Sequence, residues 1–270
     1  MPDLPNELEK ILAAVASGVL SPPAAAGRLR SGEVRYLDEF AVLDLGRQVR
    51  KGVPEVVYAP GKTPATVARI CEALLASSER VIVSASSPEV TAEIRRSLPE
   101  VPVRNAGRAL VVGSGDPTPS GGRVGAISAG TSDVPVLEEA VAVAREMGAT
   151  IRSFHDVGVA GIHRLAAPLE ELRGFDPDCL IVAAGMEGAL PSVVASLASV
   201  PVIGLPTSTG YGLGGDGTAA ILGMLQSCSP GLSVVNVDNG VGAGVTAALV
   251  ANRAALGRAG EVRESNTDPG

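Results

Sequence analysis

The sequence predicts an α/β protein in which a C-terminal three-layer domain, with a parallel sheet between helices, is joined to a smaller N-terminal α/β domain. Three observations predict it. Apolar residues make up 46% of the 270-residue chain while aromatics are only 2% and Trp is absent, so the core is built from Ala, Val, Leu and Ile. Small branched side chains of this kind suit buried parallel strands under Ala-rich helices. Short apolar runs alternate with helical stretches, the mark of successive βαβ units. The run Cys179-Leu180-Ile181-Val182-Ala183 is apolar on both faces, as a strand covered on both sides must be.

In chain order, residues 1–33 read as a helical appendage: helices over Leu8 to Ser17 and Pro22 to Ser31, parted by Ser21-Pro22-Pro23. Residues 34–115 form the small α/β domain. Its strands are predicted at Ala41 to Leu45, Glu55 to Tyr58, Val81 to Ser84 and Ala109 to Val112, its helices at Pro64 to Ala76 and Pro88 to Ser97. The stretch Gly113 to Gly122 has almost nothing to bury and is dense in turn formers, which makes it a domain linker. The larger domain, 123–256, has strands at Val124 to Ser128, Thr150 to Phe154, Cys179 to Ala183, Pro201 to Leu205 and Ser233 to Val237. In its first helix Val136, Ala140, Val143, Ala144 and Met147 share a face at helical spacing. The charged segment 257–270, with its Gly, Asn and Pro, is predicted to be a disordered tail.

Composition narrows the function classes. With 22 basic and 29 acidic residues, a net charge of -7 and no run of five like charges, the chain offers neither a nucleic-acid surface nor a polybasic membrane contact. No stretch reaches the ~18 apolar residues of a membrane span, and Met1 to Lys10 is acidic and polar where a signal peptide would be basic, then apolar. The three cysteines, Cys71, Cys179 and Cys228, are odd in number and far apart, a pattern of a reducing cytoplasm rather than of disulfides or zinc. Small-molecule partners and a cytoplasmic location are the expectation.

Ligands of parallel sheets bind beyond the carboxyl ends of the strands, so those loops carry the candidate chemistry. After the strand ending at Ser128, Ser132 either caps the next helix or, with the amides of that helix start, holds a phosphate or ribose; both can hold at once. The loop His155 to Arg164 contains both histidines of the chain and ends in Arg164, whose planar donor fork grips phosphate or carboxylate unless it is spent on a surface ion pair. In Gly185 to Ser192, Glu187 is either ordinary helix-start charge or an acid–base group. The loop Pro206 to Gly217 has five glycines between 210 and 217, which points to close approach to a ligand or to motion over it.

Cys71 and Cys179 fall on a helical face and in a strand, where a thiol acts as a small apolar residue. Cys228 differs because it follows the predicted helix Thr218 to Ser227 among polar loops. A helix C-terminus disfavours a thiolate, and a cationic substrate would offset this. The segment Asn236 to Gly244 is not a dinucleotide fingerprint: its spacing is G-x-G-x-G, and no sheet strand or ribose-binding acid follows; its glycines serve close helix packing, with a subunit interface as one place for it.

Taken together, Arg50 to Tyr58, Gly130 to Pro135, Asp156 to Arg164, Gly185 to Ser192, Pro206 to Gly212, Ser227 to Gly231 and Asn236 to Gly244 resemble the LarB family of nickel-pincer cofactor biosynthesis. Over roughly Arg123 to Leu256 the chain is also similar to the aminoimidazole ribonucleotide carboxylases, the PurE family. The resemblance implies a PurE/flavodoxin-like fold for the C-terminal domain. Ser132-Asp133 looks like the purine enzymes' serine-aspartate that holds ribose phosphate, and Ile162-His163-Arg164 like their catalytic histidine and phosphate-binding arginine. Where their second histidine precedes a Leu-Pro pair, this chain has Ala189, with Glu187 two positions earlier.

What the LarB resemblance implies is carboxylation of nicotinic acid adenine dinucleotide at pyridinium C5 with CO2, followed by phosphoanhydride hydrolysis that releases AMP. The implied catalytic residues are Cys228, Glu187, His163 and Asp156; the implied substrate-binding residues are Ser132, Asp133, Arg164, Gly185, Ser208, Gly210, Tyr211 and Asn239. No tightly bound organic cofactor is expected. Hydrolysis would call on Asp156, Asp133 or Asp216 with a divalent ion such as Mg2+, although no metal-ligand spacing shows which residues would hold it. A homo-octamer is implied as well. An aminoimidazole ribonucleotide carboxylase or mutase and a non-catalytic nucleotide-binding protein stay open as alternatives.

Overall fold

The structure, a computed structural model, describes residues 4–31, 34–37 and 41–265. Two helices, α1 (Leu4–Ala16) and α2 (Pro22–Ser31), come first. An antiparallel hairpin of β1 (Val34–Leu37) and β2 (Ala41–Asp44) and a short α3 (Arg47–Lys51) follow. A four-stranded sheet then forms from β3 (Val56–Tyr58), β4 (Arg80–Ser84), β5 (Val103–Ala106) and β6 (Ala109–Gly113) in the order β3-β4-β6-β5, with β3 and β4 parallel and the other pairs antiparallel. Its helices α4 (Pro64–Leu75) and α5 (Pro88–Ser97) start as capping rules require: Thr63 accepts from the Thr66 amide, Ser87 accepts from the Val90 amide, and a proline occupies the first turn of each.

The second sheet has five parallel strands, β7 (Arg123–Ser128), β8 (Thr150–Phe154), β9 (Cys179–Ala184), β10 (Val202–Pro206) and β11 (Leu232–Val234). Their order, β11-β10-β9-β7-β8, is flavodoxin-like: the chain steps outward from β7 to β8, then reverses to β9, which creates a switch point between β7 and β9. Helices α6 (Val134–Glu146), α7 (Ala166–Phe175), α8 (Ala189–Leu197), α9 (Thr218–Leu225) and α10 (Gly240–Ser265) surround it. Strands β9 and β10 are buried along their whole length, as the apolar runs required. The predicted α/β architecture, a parallel-sheet domain beside a smaller α/β part, is therefore what the chain forms.

Helix α10 packs tightly on α6 because Gly240 and Gly244 carry no side chain: a Cβ at Gly244 would lie 2.4 Å from the Ala140 carbonyl oxygen. These glycines thus serve packing within one chain, where the sequence reading allowed a subunit interface. The predicted tail is corrected too. Helix α10 runs on past 256 to Ser265, because the Arg258 guanidinium pairs with buried Asp178 at the start of β9 and so fastens the polar end of the helix to the sheet; residues 266–270 lie outside the described part.

The segment between the two sheets is irregular but fastened: Ser120 Oγ donates to Asn252 Oδ1 (2.6 Å), and Gly148 packs where a Cβ would meet the Thr118 carbonyl. The N-terminal part also seals against α6. Buried Glu139 accepts from Ser84 Oγ (2.7 Å) and the Ala85 amide (3.0 Å), and Glu146 pairs with Arg80 (2.7 Å) and Arg104 (3.0 Å). Val53, Ile82 and Ala109 join the same apolar cluster as α6 and the larger sheet. The two parts therefore share a core. Among the described residues no helix is long and apolar enough to cross a membrane.

Candidate active site

A cavity of about 300 Å³ opens at the carboxyl ends of β7, β9 and β10, beside the switch point. Ser132, Asp133, Arg164, Gly185, Glu187 and Thr209 are among the residues that line it. Its floor is Asp133. The short turn Thr131–Asp133 brings this residue to the start of α6, where its carboxylate folds back: Oδ2 accepts from the Gly130 amide (2.8 Å) and Oδ1 from the hydroxyl of Thr207 (2.6 Å). Thr207 is fully buried and Asp133 nearly so. Burial pushes the Asp133 carboxyl above its usual range, against the Thr207 hydroxyl and the Gly130 and Gly185 amides, which favour the charged form.

The loops above this floor are stitched together by backbone. The Met186 amide donates to the Thr209 carbonyl (2.9 Å), and Thr209 Oγ1 donates to the Ser132 carbonyl (3.3 Å). Gly185 has no alternative at its position, since a Cβ there would stand 2.1 Å from the Thr209 oxygen. On the opposite wall Arg164 Nη1 donates to both the carbonyl (2.6 Å) and the carboxylate (3.0 Å) of Asp156, whose backbone takes the left-handed conformation at φ 57°. The Arg164 side chain is partly exposed and is among the groups that line the cavity.

Of the residues selected from sequence, Ser132, Asp133, Arg164, Gly185 and Glu187 share this cavity. The others stand elsewhere. Ser132 does not cap α6, because Asp133 occupies that position. The Asp156 carboxylate is committed to Arg164 rather than directed into the cavity. His163 is exposed beside it, while His155 lies with Nδ1 3.4 Å from Ser128 Oγ and Nε2 3.5 Å from Glu138. Ser208 is held by Asp238, and Gly210 and Tyr211 extend outward, Tyr211 being 82% exposed. Asn239 spends its side-chain oxygen capping α10 through the Gly242 amide (2.8 Å), a use its position before Gly240 explains.

Cys228 lies outside the cavity lining, exposed, three residues past the end of α9. Helix α9 itself crosses the loop that carries Glu187, with Gly223 so close that a Cβ would be 2.3 Å from the Glu187 carbonyl oxygen. Ser229 Oγ then ties the following segment to the Ser192 carbonyl of α8 (2.8 Å). The other two thiols are inert by comparison: burial pushes Cys71 and Cys179 up to about 12. Sequence reading missed Thr207 and Thr209, which are ordinary turn residues in print, and Asp238, whose only signal was the Asp-Asn-Gly turn. Among the described residues no group of three His, Cys, Asp or Glu side chains gathers as metal ligands, and both Asp133 oxygens are already engaged, so no step through a metal is derived.

The cavity thus lies at the carboxyl ends of a doubly wound parallel sheet, beside its switch point, where sheets of this kind bind their ligands. The family pattern described as AIR carboxylase matches residues 123–266, and the pattern described as LarB/PurE-like N-terminal domain matches residues 35–114. This chain belongs to the AIR carboxylase family, and is a carboxylase- or mutase-type enzyme. An uncharacterized protein of Methanocaldococcus jannaschii is 40% identical over 255 residues, 91% of this chain and 97% of its own. The N5-carboxyaminoimidazole ribonucleotide mutase of the same organism is 36% identical over 121 residues, 44% of this chain and 70% of that one. That of Thermotoga maritima is 31% identical over 137 residues, 47% and 74% of the two chains.

Proposed function

We propose that this chain is a LarB-type pyridinium-3,5-biscarboxylic acid mononucleotide synthase, carboxylating nicotinic acid adenine dinucleotide at C5 with CO2 and hydrolysing its phosphoanhydride to release AMP. The observation that carries this reading is the pairing of a LarB/PurE-like N-terminal domain with an AIR carboxylase domain in one chain, the two sharing a core. The thiols fit the chemistry. A pyridinium ring does not attack CO2 unaided. When the Cys228 thiolate adds at C4, the ring becomes a dihydropyridine whose C5 is the nucleophilic end of an enamine. C5 then bonds to CO2, leaving an iminium. Removal of the C5 proton by Glu187 or His163 regenerates the enamine, and expulsion of the thiolate from C4 restores the aromatic ring.

In this scheme Ser132 and Arg164 hold phosphate in the cavity, and the nicotinate end reaches over the Glu187 rim to a thiol that is the chain's own or a neighbouring copy's. A homo-oligomer, an octamer in the family reading, is supported by the apolar side chains left exposed on the glycine-rich loop and α9: Leu213 is fully exposed, and Leu222 and Leu225 are more than half exposed. A second reading, an aminoimidazole ribonucleotide carboxylase or mutase, is favoured by the mutases that share the C-terminal pattern. One assay separates them. Incubation with nicotinic acid adenine dinucleotide and bicarbonate is expected to release AMP and to add the mass of one carboxylate to the nicotinate mononucleotide. Turnover of the aminoimidazole substrate alone would reject the first reading in favour of the second.

A further inference from the structure

The glycine-rich loop 207–217 contributes Thr207 to the floor and Thr209 to the wall of the cavity, yet the group that holds its first turn is not in the loop. Asp238, in the left-handed conformation at φ 56°, accepts from the Ser208 amide through Oδ1 (2.9 Å) and from Ser208 Oγ through Oδ2 (2.7 Å). Its own amide donates to the Pro206 carbonyl (2.8 Å). The same Oδ2 pairs with Nη1 of Arg108 at 3.2 Å, and Arg108 belongs to the N-terminal part, in the turn between β5 and β6. The side chains are 31% (Arg108) and 25% (Asp238) exposed, so the pair is less screened than a surface bridge.

The backbone of that turn is seated independently of the guanidinium. The Arg108 amide donates to the Pro135 carbonyl (3.1 Å), the Ser86 amide donates to the Arg108 carbonyl (2.8 Å), and Gly107 fits where a Cβ would stand 2.1 Å from the Pro135 oxygen. Pro135 is in the first turn of α6, two residues beyond Asp133. The turn is therefore fixed next to the cavity, and its side chain is left to act on Asp238. We infer that Arg108 is a positioning residue for the substrate cavity: it holds Asp238 in the orientation that binds Ser208, and so sets the placement of Thr207 and Thr209. The N-terminal domain then acts on catalysis through one guanidinium, not merely by covering α6. This rests on the reading of the cavity as the carboxylation site.

The test uses the full chain with Arg108→Ala, Arg108→Gln and Arg108→Lys, and Arg104→Ala as a control that removes another cross-domain ion pair, to Glu146, with no link to the loop. Amide hydrogen exchange is read first. Arg108→Ala and Arg108→Gln are expected to speed exchange in peptides covering 207–212 by ~10-fold while β9 stays protected, Arg108→Lys to retain most of the protection, and Arg104→Ala to leave the loop unchanged. In steady-state kinetics KM is expected to rise ~10-fold in the two uncharged variants with kcat within about two-fold. Unchanged loop exchange in both uncharged variants would overturn the inference, as would an equal effect from Arg104→Ala. If the wild-type protein turns over neither substrate, the carboxylase reading fails while the exchange result still decides the role of Arg108.

Discussion

The floor and the rim of one cavity are built on different terms. At the floor the polar groups are engaged: the Asp133 carboxylate accepts from the Gly130 amide and the Thr207 hydroxyl, and Gly185 leaves no room for a Cβ. At the outer rim, beyond the residues that line the cavity, Tyr211, Leu213, His163 and Cys228 are exposed. A group that must be in place before substrate arrives is best held by buried hydrogen bonds, because reorganisation during the reaction then costs little. A group that engages only with substrate or with a second copy has to be left unengaged beforehand. On the proposed reading, binding geometry belongs to the floor and covalent chemistry to the exposed groups around it.

The sharpest way to break that assignment is at the rim. Cys228→Ala is expected to lower carboxylation by ~10³-fold or more, as removal of a covalent nucleophile does. Cys71→Ala and Cys179→Ala should keep activity within a few-fold, since burial keeps both thiols protonated at neutral pH; product mass measured for the three variants decides it. Equal activity in all three would remove the thiol from the mechanism.

At the floor Asp133→Asn is expected to reduce kcat/KM by ~10²-fold and to cost about 1–3 kcal/mol of stability. An asparagine oxygen can still accept from Thr207, but its NH2 then faces the Gly130 amide, donor against donor. Urea denaturation beside the kinetics checks both numbers. A variant with full stability and no activity would make Asp133 part of the chemistry itself.

The smallest effect belongs far from both regions. Burial works to raise the Asp178 carboxyl, but the Arg258 guanidinium and the Arg123 amide together hold it below its usual 3.8. A depressed carboxylate contributes stability above its unfolded value and loses it as pH falls through the folded one. The end of α10 is therefore expected to fray as pH drops below about 3.8, seen as faster exchange or helix loss, and Arg258→Ala should produce the same fraying at neutral pH with activity nearly unchanged. Wild-type-like fraying behaviour in that variant would show that the ion pair does not hold the helix end.

How much of this was legible depended on whether the cause was local. Helix α6 and strand β9 announce themselves by apolar period and by continuous burial, and α4 and α5 by their Thr-Pro and Ser-Pro starts. Strand β5 went unseen because Val-Arg-Asn-Ala is a polar edge strand with only its ends half-buried. The far end of α10 looked like a tail because Asp178, which holds it, is 80 residues away. The same limit applied at the site. Asp133, Arg164 and Glu187 were found through their loops, whereas the partnership of Asp133 with Thr207, 74 residues distant, exists only in the fold. Asn239 misled because an Asn before glycine serves a helix cap as readily as a ligand.

The claim at the centre is that sulfur bonds to the nicotinate ring before carbon does, and peptide mass spectrometry tests it most directly. The protein is mixed with nicotinic acid adenine dinucleotide and bicarbonate, quenched during turnover and digested. A nicotinate-nucleotide mass on the peptide containing Cys228, absent from those containing Cys71 and Cys179, is the expected result. Product accumulating with no adduct at Cys228 at any time point would contradict it.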